Sequence, residues 1–290
     1  MSINIENTMK DYEDVAKLVM LVYGVGGIGK TTFASTFPNA LLIDFENGSK
    51  YFKKRGINID VVRMSTWFSK QDIAELQEKS ATYETIIIDP IGEAMEKLIK
   101  SPNITGVKYR QGGTGDLTIA GWGKVKDEMR SLVKWAKSLN KNVVLVAHVD
   151  EKESDGSLVK RPLIATKIND EIIAMVDVVG YMDIVVINEK ERRALRVNPS
   201  DERYIAKDRT GSLPGLCKPD YNYILKRMTE TVEEEKTEPT PEPEKKPEEP
   251  KKAEQEPVGK EPTPVQPEPP QEPETEELPE LRPEDNPFNN

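Results

Sequence analysis

Four apolar runs stand out against an otherwise polar chain: residues 17–23 (KLVMLVY), 40–45 (ALLIDF), 85–89 (TIIID) and 142–147 (NVVLVA). Each is continuous rather than alternating, the pattern of a strand covered on both faces. Residues 59–64 (IDVVRM) read as a weaker strand. Between the runs, residues 30–36, 70–80, 91–100 and 122–139 follow helical patterns. Buried strands alternating with helices predict an α/β fold, a mainly parallel sheet with helices on both faces. After residue 150 the pattern changes. Residues 176–187 and 193–197 read as two strands joined by the polar NEKER turn, and 204–205 as a segment that pairs with them. They predict an antiparallel extension at one edge of the sheet. Residues 101–121 and 151–166 are too rich in glycine, or too polar, for regular structure. Long loops inside a compact domain are usually functional or mobile.

Composition divides the chain. Residues 229–290 hold 15 of the 22 prolines and 20 acidic against 7 basic residues, a net −13. The preceding 228 residues carry 34 basic against 31 acidic, a net +3. The tail cannot bury enough apolar surface to offset its ordering entropy and is expected to be disordered. The division is thus a polar lead-in (1–16), a folded domain (17–228) and an acidic Pro/Glu-rich tail (229–290). Lone Cys217 permits no internal disulfide and reads as a small filler residue; with a single histidine, a structural zinc site is excluded. No apolar run approaches the roughly 18 residues of a membrane span, and the N-terminus has no signal-peptide core. A cytoplasmic protein with no membrane partner is expected.

The chemistry begins after the first apolar run. Gly24, Val25, Gly26, Gly27, Ile28, Gly29, Lys30 and Thr31 match G-x-x-x-x-G-K-[ST], with Thr32 following. Glycines let the backbone turn its N–H groups onto phosphate oxygens, and the helix that follows points its positive end at them. Lys30 can reach the β- and γ-phosphates, and the Thr31 hydroxyl can coordinate magnesium. ATP and Mg2+ are the expected ligands; no guanine-specifying N-K-x-D occurs. Asp89, at the end of a buried strand, is placed either to hold the magnesium or to cap the helix that follows. Glu46, two residues past Asp44, is either the base that orients attacking water or part of a solvated turn. His148 ends the fourth run, as a γ-phosphate sensor or a satisfied structural residue.

This order of motifs resembles the RecA-like ATPases, and more narrowly the phage-encoded ATP-binding proteins of the Sak type, linked to single-strand annealing and recombination. The resemblance covers residues 17–213. Its more telling phrase is RYIAKDRTGSLP at 203–214, because K-x-R after the last strands is typical of RecA-like rings and filaments. The resemblance implies Glu46 as catalytic base, His148 as sensor, and Lys207 and Arg209 as fingers reaching a neighbouring subunit's ATP; on spacing alone, the last two read as a solvated basic turn. It implies a homo-oligomer, ring or filament, although the long N-terminal helical region of many filament-forming recombinases is absent. It also puts DNA-binding loops on the two irregular stretches. Lys108, Tyr109 and Arg110 in one, and Lys152, Lys160, Arg161 and Lys167 in the other, are candidate contacts to single-stranded DNA.

The segment ELRPEDNPFNN (280–290) is similar to the acidic tip of bacterial single-stranded-DNA-binding proteins, except that two asparagines follow Phe288. It reads as a docking tip for a replication partner or as a solubilising tail. Two rival functions share the core: a DnaB-like helicase or loader motor, and a nucleotide-switched interaction protein without DNA-dependent turnover. GGIGKTT occurs in immune-type receptors too, but no repeat sensor domain accompanies it here. A ParA-type ATPase would need a lysine at Val25.

Overall fold

The computed structural model describes residues 17–154 and 156–229. The lead-in and the acidic tail, on which two of the sequence expectations fall, lie outside the described residues. The central strand β1 (Val19–Gly24) runs parallel to β5 (Asn142–Ser154) on one side and β7 (Val178–Ile187) on the other. Beyond β5 come β4 (Thr85–Asp89), β2 (Ala40–Asp44) and β3 (Asp60–Arg63), all parallel. Beyond β7 the sheet turns antiparallel through β8 (Lys190–Arg196) and β10 (Leu216–Cys217).

The apolar runs behave as doubly covered strands for a definite reason. Alternate residues point to opposite faces. Leu21, Ile43, Ile88 and Leu145 pack under α2 (Lys70–Lys79), α3 (Ile91–Ile99), α4 (Ile119–Ser138) and α5 (Thr166–Met175). Met20, Val22, Leu42, Ile87 and Val144 pack under α1 (Lys30–Ala34) and α6 (Tyr221–Thr229). Cys217 is buried in that second layer, where loss of solvation pushes its thiol pKa up to about 12. It is a filler, as expected.

Several expectations need correction. Residues 176–187 pair antiparallel with β8 as expected, but β7 is also a parallel neighbour of β1, because the unpredicted helix α5 supplies a crossover. The segment that pairs with β7 is β9 (Lys207–Asp208), not 204–205; Tyr204 instead bridges Lys160. Residues 151–166 are not irregular. β5 continues to Ser154 and pairs back with β6 (Ser157–Pro162) as a hairpin. The Asp-Gly pair at 155–156 was the turn signal that could have revealed it. In 101–121, two single 3-10 turns precede α4, which starts at Ile119 with the Thr118 hydroxyl accepting the Gly121 N–H.

Candidate nucleotide site

The P-loop begins where β1 ends, and steric closeness explains its first glycine. A Cβ on Gly24 would lie 2.6 Å from the carbonyl oxygen of Met182. Gly29 has φ 111°, a conformation that only glycine adopts without strain. Val25, Gly26 and Gly27 are exposed, while Ile28 anchors the loop in the core. α1 is only five residues long, so the loop's own N–H groups and the unpaired N–H groups of its first turn are the main anion donors.

Lys30 is buried and folds back, its Nζ donating to the carbonyls of Gly24 and Val25 at 2.9 Å each. Burial lowers its pKa, opposed by the charges of Asp89 and Glu46. The Thr31 hydroxyl donates to Asp89 Oδ2 at 2.5 Å. Loss of solvation pushes the Asp89 carboxyl up to about 6, against the pull of Thr31 and Lys30. This desolvated carboxylate beside a hydroxyl is a hard-oxygen pair suited to magnesium. Among the described residues no group of three or more His, Cys, Asp and Glu side chains could hold a metal. A cation here would therefore take its remaining ligands from phosphate and water, as magnesium commonly does.

Strand order brings the remaining groups to this pair. β5 lies between β1 and β4, and His148 is level with Gly24. Asp44 is level with Asp89. The buried Asp44 carboxylate accepts the N–H groups of Glu46, Gly48 and Ser49 at 3.0, 3.3 and 2.9 Å. These bonds shape the turn that presents Glu46, whose Oε1 lies 3.0 Å from His148 Nε2. Sequence reading missed this role of Asp44, although its place two residues before Glu46 was visible. It also missed Arg55, whose Nη2 donates to Thr32 Oγ1 at 3.0 Å and which lines a cleft of about 110 Å3 with Thr31, Glu46 and Asp89. Nothing in the local sequence marks Arg55.

Lys207 and Arg209 lie at the other end of the sheet. The Arg209 N–H bonds the Asp177 carbonyl, and the Asp177 N–H bonds that of Val19, five residues before Gly24. At about 3.3 Å per residue, this is on the order of 15 Å along the sheet from the chain's own P-loop. Lys207 Nζ caps the end of α5, donating to the carbonyls of Ile173, Ala174 and Val176. Arg209 pairs with Asp177 at 3.2 Å and remains half exposed.

The candidate DNA residues divide by environment. The Arg110 guanidinium is turned onto its own loop, donating to the carbonyls of Ile99, Ile104 and Gly115, so it ties the loop together instead of projecting from it. Arg161 pairs with Asp150 across the β5–β6 hairpin at 3.0 Å. Tyr109 packs in part against the core, with Lys108 Nζ 5.4 Å from its ring centre. Lys160 Nζ sits 5.2 Å from the ring centre of Tyr181. Lys152 and Lys167 are exposed. Lys167 shares a groove with Trp122 and Ile119, which are 44% and 94% exposed. Sequence reading took Trp122 only as the start of a helix.

A family model described as an AAA domain matches residues 16–210. A solved structure of a KaiC-like protein from the hyperthermophilic archaeon Pyrococcus horikoshii is similar at 14% identity, over 62% of this chain and 77% of that one, with a TM-score of 0.34. No curated protein matches the sequence. Among the described residues no helix is long and apolar enough to cross a membrane.

Proposed function

The chain belongs to the AAA domain family, and from that premise we propose that it is a magnesium-dependent, single-stranded-DNA-stimulated ATPase of recombination or annealing, active as a homo-oligomer. Nucleotide binding and ATPase chemistry go with the RecA-like P-loop fold. Hydrolysis is supported by one observation above all: Lys30, the Thr31–Asp89 pair and the Glu46–His148 pair converge at one end of the sheet.

Each group has a task there. Lys30 exchanges its two loop carbonyls for phosphate oxygens, which need its charge more. Thr31 and Asp89 would hold magnesium, which would supply screening of the phosphate charge. Glu46 orients water toward the γ-phosphate, and His148 holds Glu46 in place until the phosphate arrives. Arg209 lies too far from its own P-loop to act in cis; as a finger it serves a neighbouring subunit, which makes turnover depend on assembly. Lys207 positions this segment by capping α5. For DNA, exposed Trp122 offers a stacking face beside Lys167, with Lys108, Lys152 and Lys160 as backbone contacts. The phage setting rests on the sequence resemblance.

The test is ATP hydrolysis with and without single-stranded DNA for wild type, Lys30→Ala, Glu46→Gln and Arg209→Ala. The expected result is stimulation by DNA and losses of about 10²-fold or more in each variant. Glu46→Gln should still bind ATP. Mixing Arg209→Ala with Glu46→Gln should restore part of the activity, because the finger of one subunit then meets the intact base of another. Turnover that ignores DNA and tolerates loss of Arg209 would instead indicate a nucleotide switch. Directional duplex unwinding would indicate a helicase motor.

A further inference from the structure

A nucleoside triphosphate is an extended molecule, so placing its γ-phosphate determines the side on which its base must lie. Asp44, Glu46 and Asp89 stand over β2 and β4, on one side of the P-loop strand. The base must therefore leave on the opposite side, over β7 and β8. A cavity of about 490 Å3 lies there, directly against the P-loop residue Gly29 and Thr32 of α1. That volume is within the range of small-ligand sites, about 300–1,000 Å3.

The cavity exists because the β7–β8 hairpin overhangs the P-loop. β7 is level with β1 only as far as Tyr181, opposite Tyr23; Met182 to Ile187 continue past it, paired with β8 alone. Met182 and Ile184 give the cavity an apolar wall. Arg193 on β8 lies along its inner edge: a Cβ on Gly29 would meet Arg193 Cδ at 3.4 Å and Nε at 3.5 Å. The floor is pinned by the start of α6, where the Tyr221 N–H bonds Thr36 Oγ1 at 2.9 Å and Asp220 caps the helix through the Tyr223 N–H at 3.1 Å. Asp220 also lines the cavity as a hydrogen-bond acceptor.

We propose that this cavity receives the adenosine end of ATP, with the Arg193 guanidinium over the base and Ile184 at its edge. The chemistry matches: a planar cation stacks on an aromatic face, an apolar wall covers the ring, and a carboxylate can accept from the exocyclic amine. The inference rests on the phosphate-site reading of Lys30 and Asp89, and goes beyond it by naming the residues that hold the other half of the ligand.

Two ligands separate the two readings: ATP and inorganic tripolyphosphate, each titrated calorimetrically with magnesium into the full chain. Wild type should bind both, and Lys30→Ala neither. Arg193→Ala should lose about 3- to 30-fold in affinity for ATP with tripolyphosphate unchanged. Ile184→Trp, at an exposed position where folding is not at risk, should fill the cavity and have the same selective effect. Unchanged ATP affinity in both variants would overturn the base site and leave the P-loop reading standing. An equal loss for both ligands in Arg193→Ala would make Arg193 a phosphate contact and overturn the proposal as well. Failure of wild type to bind either ligand would defeat the phosphate-site reading itself.

Discussion

At the scale of single residues, the site holds charges at a cost to the fold. Asp89 is the clearest case. Its folded pKa, about 6 against an ordinary 3.8, means that the native state binds its proton more tightly than the unfolded chain does. For such a group, stability falls as pH rises from about 4 to about 6 and stays at the lower level above that. Asp89→Asn removes the charge and keeps an oxygen for the Thr31 hydroxyl. The nucleotide-free variant is expected to be more stable by on the order of 1–3 kcal/mol at neutral pH, and to lose hydrolysis. Thermal melts without ligand check the first part, and an unchanged or lower melting temperature would contradict it. Asp44, also buried, accepts three backbone N–H groups on its carboxylate. Its task is to shape the turn under Glu46.

At the scale of elements, two hairpins rise past the end of β1, one on each side of the P-loop. β5 continues beyond His148 into the β5–β6 hairpin, and β7 continues beyond Met182 into β8. Tyr23 ties the first to the core: its hydroxyl donates to the carbonyls of Lys160 and Ile205 at 3.0 and 2.8 Å. The loop before α4 is held differently, by close backbone approach. A Cβ on Gly121 would lie 2.3 Å from the Tyr109 carbonyl oxygen. Gly121→Ala must therefore displace the loop that carries Lys108, at a cost of about 1–3 kcal/mol. The melting temperature should fall by about 2–4 °C per kcal/mol. DNA-stimulated turnover should fall more than basal turnover if this loop meets DNA. Equal losses in the two rates would remove the loop from the DNA-binding reading.

At the scale of the whole molecule, the core accounts for its own closure. α6 returns to pack Ile224 into the layer beneath α1, so the last described helix completes the second face of the sheet. Deleting the acidic tail after α6 is expected to leave ATP affinity unchanged. Calorimetry on the shortened chain checks this, and a loss of affinity would contradict the division of the chain near residue 229. Arg209 raises the complementary point. It sits at the far end of the sheet from its own P-loop, so the finger role proposed for it requires a second subunit.

The sequence by itself determined the parallel sheet, the P-loop, and the apolar runs beside which Asp89, Glu46 and His148 stand. These follow from local causes: continuous apolar runs force double coverage, and glycines after such a run admit the close, positive-φ turn that other residues resist. Only the tertiary structure decided that Glu46 and His148, 102 positions apart, touch. It also decided that Arg110 turns inward, that β7 joins the parallel core, and that Arg55 and Arg193 border the P-loop. Those outcomes depend on strand order and register, which arise from packing between distant segments, and no spacing of neighbouring residues encodes them.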